Sequence, residues 1–235
     1  EARLSLPGGD WWYAPELNAG TVGVQYFFAQ NAPDSTRWLF DVSPQGLFAT
    51  YQALFGDPFA RTIEPLVPPD LVQPAFSLPF RPGESWYFTA GPHGGWDRRG
   101  SAWGAVDFAP PRPTDETLRT EGRCHVSTYY ARAIADGVIS RARDGAVVLD
   151  LDMDGDERTG WSVLYLHIAI RDRITVGSVV SAGAALGHPS CEGFFLNSVG
   201  THLHIARRYN GEWIAAECPR CLPGVAAPAF VMGGW

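Results

Sequence analysis

Residues 201–214 read THLHIARRYNGEWI. Leu203, Ile205 and Ala206, followed by the polar turn Tyr209-Asn210-Gly211, predict a β-strand running into a hairpin. On a strand, residues i and i+2 point to one face, about 6.6 Å apart at Cα. His202 and His204 should therefore look into one place. The chain has only 6 histidines in 235 residues, so two on one strand face is a concentration of function-bearing side chains. Imidazole is both a metal ligand and a general base. Two such rings could also be core histidines satisfied by backbone groups, and the pair alone does not decide between these readings.

Working outward, the chain from about residue 80 onward consists of short apolar segments and turns. SWYFTAG (85–91), AVDFA (105–109), YYARAIADGVISRA (129–142), GAVVLDL (145–151), GWSVLYLHIA (160–169) and GSVVSAGAALG (177–187) all read as strands. No strand alternates with a long helix, so an antiparallel sheet and a mostly β domain are expected. The N-terminal part is different. TVGVQYFFAQ (21–30) and TRWLFDV (36–42) are strand-like, whereas Ser43 as N-cap, Pro44 at the first helical position and Gly56 as a stop predict one short helix over 43–56. Residues 57–83 are proline-rich and extended; their apolar residues make them a packed belt rather than a free linker. These features suggest an aromatic- and Pro-rich extension over 1–75 and a second domain over 76–235. Trp11, Trp12 and Trp38 of the extension either pack on the following domain or bind glycan, or the segment caps the site.

Composition closes several routes. The 26 glycines, 19 prolines and 13% aromatic content suit turn-rich β structure. A net charge of −7 leaves no basic footprint for nucleic acid. No apolar run is long enough to span a membrane. All 18 basic residues are arginine, which excludes a P-loop, a Schiff-base lysine and a Ser-Lys dyad. The four cysteines, Cys124, Cys191, Cys218 and Cys221, allow two disulfides in three connectivities. Cys218-Pro-Arg-Cys221 lacks a second C-x-x-C and a βαβ setting, so a short-loop disulfide is expected there. Disulfides imply an oxidising compartment: a secreted or cell-envelope protein with its leader removed.

Further potential ligands fall in GPHGGWDRRGSAWGAVDFAP (91–110) and GWSVLYLHIAI (160–170). His93 stands in a Gly-rich stretch after a strand. Asp107, between Val106 and Phe108, points to the face opposite theirs; if that face is buried, the carboxylate needs a metal, an arginine such as Arg98 or Arg99, or several hydrogen bonds. His167 falls in an apolar strand. A His/Asp/His set is a zinc first shell with one open position, and two remaining histidines would serve proton transfer. The residues alone do not say which of His202 and His204 is the ligand.

In this arrangement the sequence resembles the lysostaphin/LasA-type zinc metallopeptidases, which cut peptidoglycan cross-bridges and Gly-rich proteins. The resemblance rests on GPH at His93, VDF at Asp107, YLH at His167 and GTHLHIA at His202 and His204, in that order. The long separation of His93 from Asp107 and the SCEG before the H-x-H are LasA-like. It covers about residues 80–215 and implies a groove over an antiparallel sheet with one Zn2+ at its floor. It further implies that His93, Asp107 and His204 bind the metal and that His167 and His202 form the catalytic pair, with Tyr165 either assisting or packing. A pairing of Cys124 with Cys191 fits their positions flanking that site. The implied partner is a peptidoglycan or Gly-rich peptide substrate, and a monomer is expected. A non-catalytic cell-wall binder or amidase activator is the rival reading, but such relatives lack some zinc ligands, and all are present here. A broader secreted protease on Gly-rich proteins would share the same ligand set.

DLDMDGDERTGW (150–161) remains outside this pattern. Asp150, Asp152, Asp154 and Gly155 match the start of a calcium loop, but Trp161 occupies the place of the bidentate glutamate and the flanks are strands. A solvated acidic hairpin turn is the expectation, with Ca2+ as the alternative. His125 and His188 are expected to be structural or surface residues.

Overall fold

A computed structural model describes residues 28–31, 38–41, 67–68, 70–95, 103–193, 200–217 and 228–234. The expected helix over 43–56, Trp11, Trp12, Arg98, Arg99, Cys218 and Cys221 lie outside them. The chain divides into two compact units, Glu1–Pro65 and Leu66–Trp235. In the first, β1 (Phe28–Asn31) pairs antiparallel with β2 (Trp38–Asp41).

The second unit is built on an eight-stranded sheet. Its strands are β3 (Tyr87–His93), β4 (Ala105–Ala109), β6 (Gly137–Arg143), β7 (Ala146–Asp150), β8 (Trp161–Leu166), β9 (Val179–Val180), β11 (Leu203–Tyr209) and β12 (Glu212–Trp213). The order is β3-β4-β11-β8-β7-β6-β9, with β12 hydrogen-bonded to β11, and every pairing is antiparallel. A separate pair joins β5 (Ala131–Arg132) to β10 (Ala185–Gly187). The mostly β, antiparallel architecture is thus as expected. The helix among the described residues is one the patterning did not reveal: α1, Asp115–Thr120. Its Thr114 cap accepts from the Thr117 N–H at 3.2 Å, and Asp115 and Glu116 suit the positive end of its dipole. None of its residues is buried, so it has no apolar stripe to announce it.

Strand alternation sorts the core into two layers. Val106, Val147, Leu149, Val163, Tyr165, Leu203 and Ile205 fill one face of the sheet with Ile134, Ile139 and Phe76. Ala105, Ala146, Val148, Leu164, Leu166, Ala206 and Trp213 lie on the other. Both faces of β7, β8 and β11 are therefore covered, which explains why β7 (AVVLD) and β8 (WSVLYL) read as nearly continuous apolar runs.

Phe76 shows that the proline-rich belt packs rather than floats: its ring meets Trp161 and Phe230 edge-on, at 6.5 and 6.1 Å between centroids. Arg207, fully buried, ties the belt to the C-terminal segment. Its guanidinium lies 4.8 Å from the Phe230 ring centroid and donates to the carbonyls of Ala215, Pro228 and Ala229 and to Gln73. No helix among the described residues is long and apolar enough to cross a membrane.

Candidate active site and metal centre

Antiparallel register assembles the site. His204 on β11 pairs with Asp107 on β4 and, on its other side, with Leu166 at the end of β8. Asp107 in turn pairs with Ala90 on β3, whose last residue is His93. Four segments remote in sequence thus converge at one end of the sheet, on the face lined by Ala105, Leu164 and Leu166.

Asp107 is the centre. Its Oδ2 lies 2.9 Å from His93 Nε2 and 3.7 Å from His202 Nε2, and its Oδ1 lies 3.2 Å from His204 Nδ1. His167 stands behind, its ring 4.5 Å from His202 and 6.3 Å from His204 between centroids. The structure brings all five expected residues together, and the two rings of the H-x-H do share a face. The carboxylate's neighbours are imidazoles. Burial alone would raise the Asp107 pKa, but His204 and His93 in their protonated forms outweigh it through hydrogen bonds and charge and hold the carboxyl well below the ordinary range.

Each imidazole is oriented by a backbone carbonyl through its other nitrogen. His93 Nδ1 donates to Gly94 O (3.2 Å), His204 Nε2 to Gly95 O (2.7 Å), His167 Nδ1 to Glu192 O (3.0 Å) and His202 Nδ1 to Gly200 O (2.7 Å). A carbonyl only accepts, so these nitrogens carry the hydrogens in the neutral rings. His93 Nε2 and His204 Nδ1 then face the Asp107 carboxylate with lone pairs. Asp107 Oδ1 is itself buried with no hydrogen-bond donor among the described residues. Acceptors facing acceptors at about 3 Å repel unless a cation lies between them. His93, Asp107 and His204, whose ligand atoms all fall within 4.8 Å of one another, therefore fit a metal, and two nitrogens with a carboxylate suit zinc.

Two positions differ from the sequence expectation. His93 does not follow β3 but ends it, because the strand carries irregularities between Phe88 and Ala90 and between Ala90 and His93. His167 lies just past β8 with φ 65°, a left-handed conformation rare for a non-glycine residue. That turn breaks the alternation between Tyr165 and His167. Tyr165 keeps the ordinary alternation with Leu164 and Leu166 and points into the opposite core layer, fully buried, where its hydroxyl accepts the Ile134 N–H at 2.9 Å. Of its two expected roles, packing is the one its position permits.

The loops that supply the orienting carbonyls are braced. Cys124 and Cys191 form a disulfide, which ties the residue before Glu192 to the short 3-10 turn Gly122–Cys124. From the same turn, Arg123 O accepts the Thr201 N–H at 2.8 Å, immediately before His202. Ser190 donates to His167 O through its N–H (2.6 Å) and hydroxyl (2.9 Å), and its own carbonyl receives the His202 N–H at 3.4 Å. On the far side, Gly145 (φ 75°) lies so close to the Glu192 carbonyl that a Cβ could not be accommodated. Gly95 has no room for a Cβ against the Trp213 ring. These orienting groups are backbone atoms, which explains why no residue-type pattern pointed to them.

Burial lowers the pKa of His167 to about 4, helped by the charges of His202 and His204, and burial likewise lowers that of His202. Both rings are neutral near pH 7, which is the form that accepts a proton. His188, also buried, donates from Nδ1 to Tyr129 O at 3.1 Å and lies tilted against the Tyr130 ring at 3.9 Å between centroids, and His125 bonds Thr201; both sit in the supporting structure.

No family model matches the chain. Protease LasA of Pseudomonas aeruginosa strain UCBPP-PA14 is 27% identical over 239 residues, covering 86% of this chain and 47% of that protein. Its counterpart in strain PAO1 is 27% identical over 213 residues, covering 74% of this chain and 41% of that protein. The chain thus spans about half the length of the curated relatives it matches. The solved structure of the deep-sea M23 metalloprotease pseudoalterin is 22% identical with a TM-score of 0.46, over 62% of this chain and 76% of that one. The motifs and the sequence comparison agree: this chain is similar to protease LasA, and that similarity supports the lysostaphin/LasA-type reading of its motifs.

Proposed function

We propose that the chain is a zinc-dependent endopeptidase that hydrolyses peptide bonds of peptidoglycan cross-links or of Gly-rich peptides. The observation that carries this reading is the convergence of His93 Nε2, Asp107 and His204 Nδ1 with two further neutral imidazoles beside them. That its curated relatives are named proteases supports a peptide bond as the target.

His93, Asp107 and His204 hold the metal. When bound there, zinc lowers the pKa of water toward about 7 and polarises the scissile carbonyl. His202 or His167 takes a proton from the attacking water. The resulting imidazolium donates to the oxyanion and then protonates the leaving amine. Asp107, 3.7 Å from His202 Nε2, favours the protonated state of that ring as it forms. The carbonyls of Glu192 and Gly200 fix both rings in the tautomer this requires. In this reading residues 76–235 are the catalytic domain, residues 1–75 a packing or regulatory extension, and the protein a secreted or envelope monomer.

The test is to incubate the protein with isolated peptidoglycan, and separately with a Gly-rich peptide, and to count new amino termini with and without a zinc chelator. Chelator-sensitive release restored by zinc is expected. No release from either substrate by protein carrying one zinc per chain would overturn the proposal.

A further inference from the structure

At the other end of β7 and β8 lies the acidic turn. It takes no part in the chemistry above: Asp150 pairs with Ser162, at the start of β8, whereas His167 follows its end. Carboxylate oxygens of Asp150, Asp152 and Asp154 all fall within 4.8 Å of one another. Asp150 is fully buried. Its Oδ2 accepts the Gly155 N–H at 2.8 Å, but its Oδ1 is buried with no hydrogen-bond partner among the described residues. A buried carboxylate oxygen beside two further carboxylates is costly unless a proton or a cation satisfies it; burial raises the Asp150 pKa to about 6, so near neutral pH the group is mostly ionised and calls for the cation.

Arg158 makes a two-pronged contact to Asp156, at 2.6 Å through each prong, and Arg141 lies 3.1 Å from Glu157. The cluster is also held in shape. Asp154 accepts the Asp156 N–H and the Thr159 hydroxyl, each at 2.7 Å, and Gly155 turns the chain at φ 82°. We infer that the β7–β8 turn binds a hard divalent cation of the calcium class, with Asp150, Asp152 and Asp154 as its carboxylate ligands. The sequence favours a solvated turn; the buried, unsatisfied Oδ1 of Asp150 reverses that preference. All three donors are oxygens, which suits calcium with water completing its six to eight ligands, and suits zinc poorly. Trp161 stands where a bidentate glutamate would tighten the site, so binding falls in the weak class, with Kd on the order of 10⁻⁴–10⁻³ M. The cation closes a hairpin and stabilises the sheet independently of peptide hydrolysis.

The experiment uses the full chain loaded with zinc. Thermal unfolding is followed while calcium chloride is titrated, with sodium chloride at matched ionic strength as control. A saturable rise of about 3–6 °C is expected when calcium reaches roughly ten times its Kd. Asp152→Asn and Asp154→Asn, both at exposed positions, should abolish the saturable rise. Terbium supplies a second readout: Trp161, next to the turn, should sensitise its luminescence, and calcium should quench it by displacement. A flat melting temperature without terbium signal, or a response unchanged in both variants, would overturn the inference.

Discussion

Two clusters of metal-capable side chains lie at opposite ends of strand β8, and they are assembled in opposite ways. The acidic turn draws its three carboxylates from five consecutive residues, Asp150 to Asp154. The imidazole cluster draws its five groups from four segments spread from residue 93 to 204, and no two of its proposed metal ligands are adjacent in sequence. A local cluster needs only a turn; a distributed one needs the register of β3, β4, β8 and β11. The first should therefore respond mainly to changes within its own loop. The second should be sensitive to anything that shifts a strand or a bracing loop by a fraction of an ångström.

The sharpest break in that comparison is at the H-x-H. His204→Ala should lose the metal and all activity, whereas His202→Ala should retain one zinc per chain and lose about 10²–10⁴-fold in turnover. Metal analysis together with turnover separates the two. Retained turnover in His202→Ala would refute the assigned roles.

Next in size is the bracing. Replacing Cys124 and Cys191 together by serine frees the Glu192 carbonyl loop and the turn behind Thr201. Turnover should fall about 10–100-fold while zinc stays bound, because the disulfide supports the orienting groups of His167 and His202 rather than the ligands. Gly95→Ala acts on the other half. It forces the Gly95 carbonyl away from His204 Nε2, and zinc affinity should drop about 10–100-fold. Competition with a chelator reads this directly; equal zinc affinity in the variant would mean that the carbonyl does not orient His204. Neither change should alter the calcium response of the acidic turn.

The smallest effect is in acid. His167 is held neutral in the fold to about pH 4, while in the unfolded chain it titrates near its ordinary 6.5. Between those values the unfolded chain binds more protons, so stability is complete above about pH 6.5 and declines as the pH falls toward 4. In His167→Gln the melting temperature should fall less steeply over that window. An identical slope would show that His167 does not contribute.

Much of this was legible in the chain. Short apolar runs separated by turns pointed to an antiparallel sheet, since hydrophobic period and turn residues are local properties. The i, i+2 spacing put His202 and His204 on one face, and the alternation of Val106, Asp107 and Phe108 put the carboxylate opposite the main core. Other features were not legible. Helix α1 buries nothing, so it left no periodic trace. The left-handed turn at His167 reversed the expected relation to Tyr165, because alternation is lost where one residue leaves the β region.

The sequence by itself determined which side chains are available and on which strand face most of them lie, because strand geometry has a period of two wherever it is unbroken. Only the tertiary structure decided what those side chains meet. It set His204 opposite Asp107 through long-range register, it gave His204 and His167 the carbonyls of Gly95 and Glu192, and it buried one oxygen of Asp150 without a donor. Those outcomes depend on backbone atoms brought together across as many as 109 positions, as between Gly95 and His204, and backbone atoms are the same at every residue.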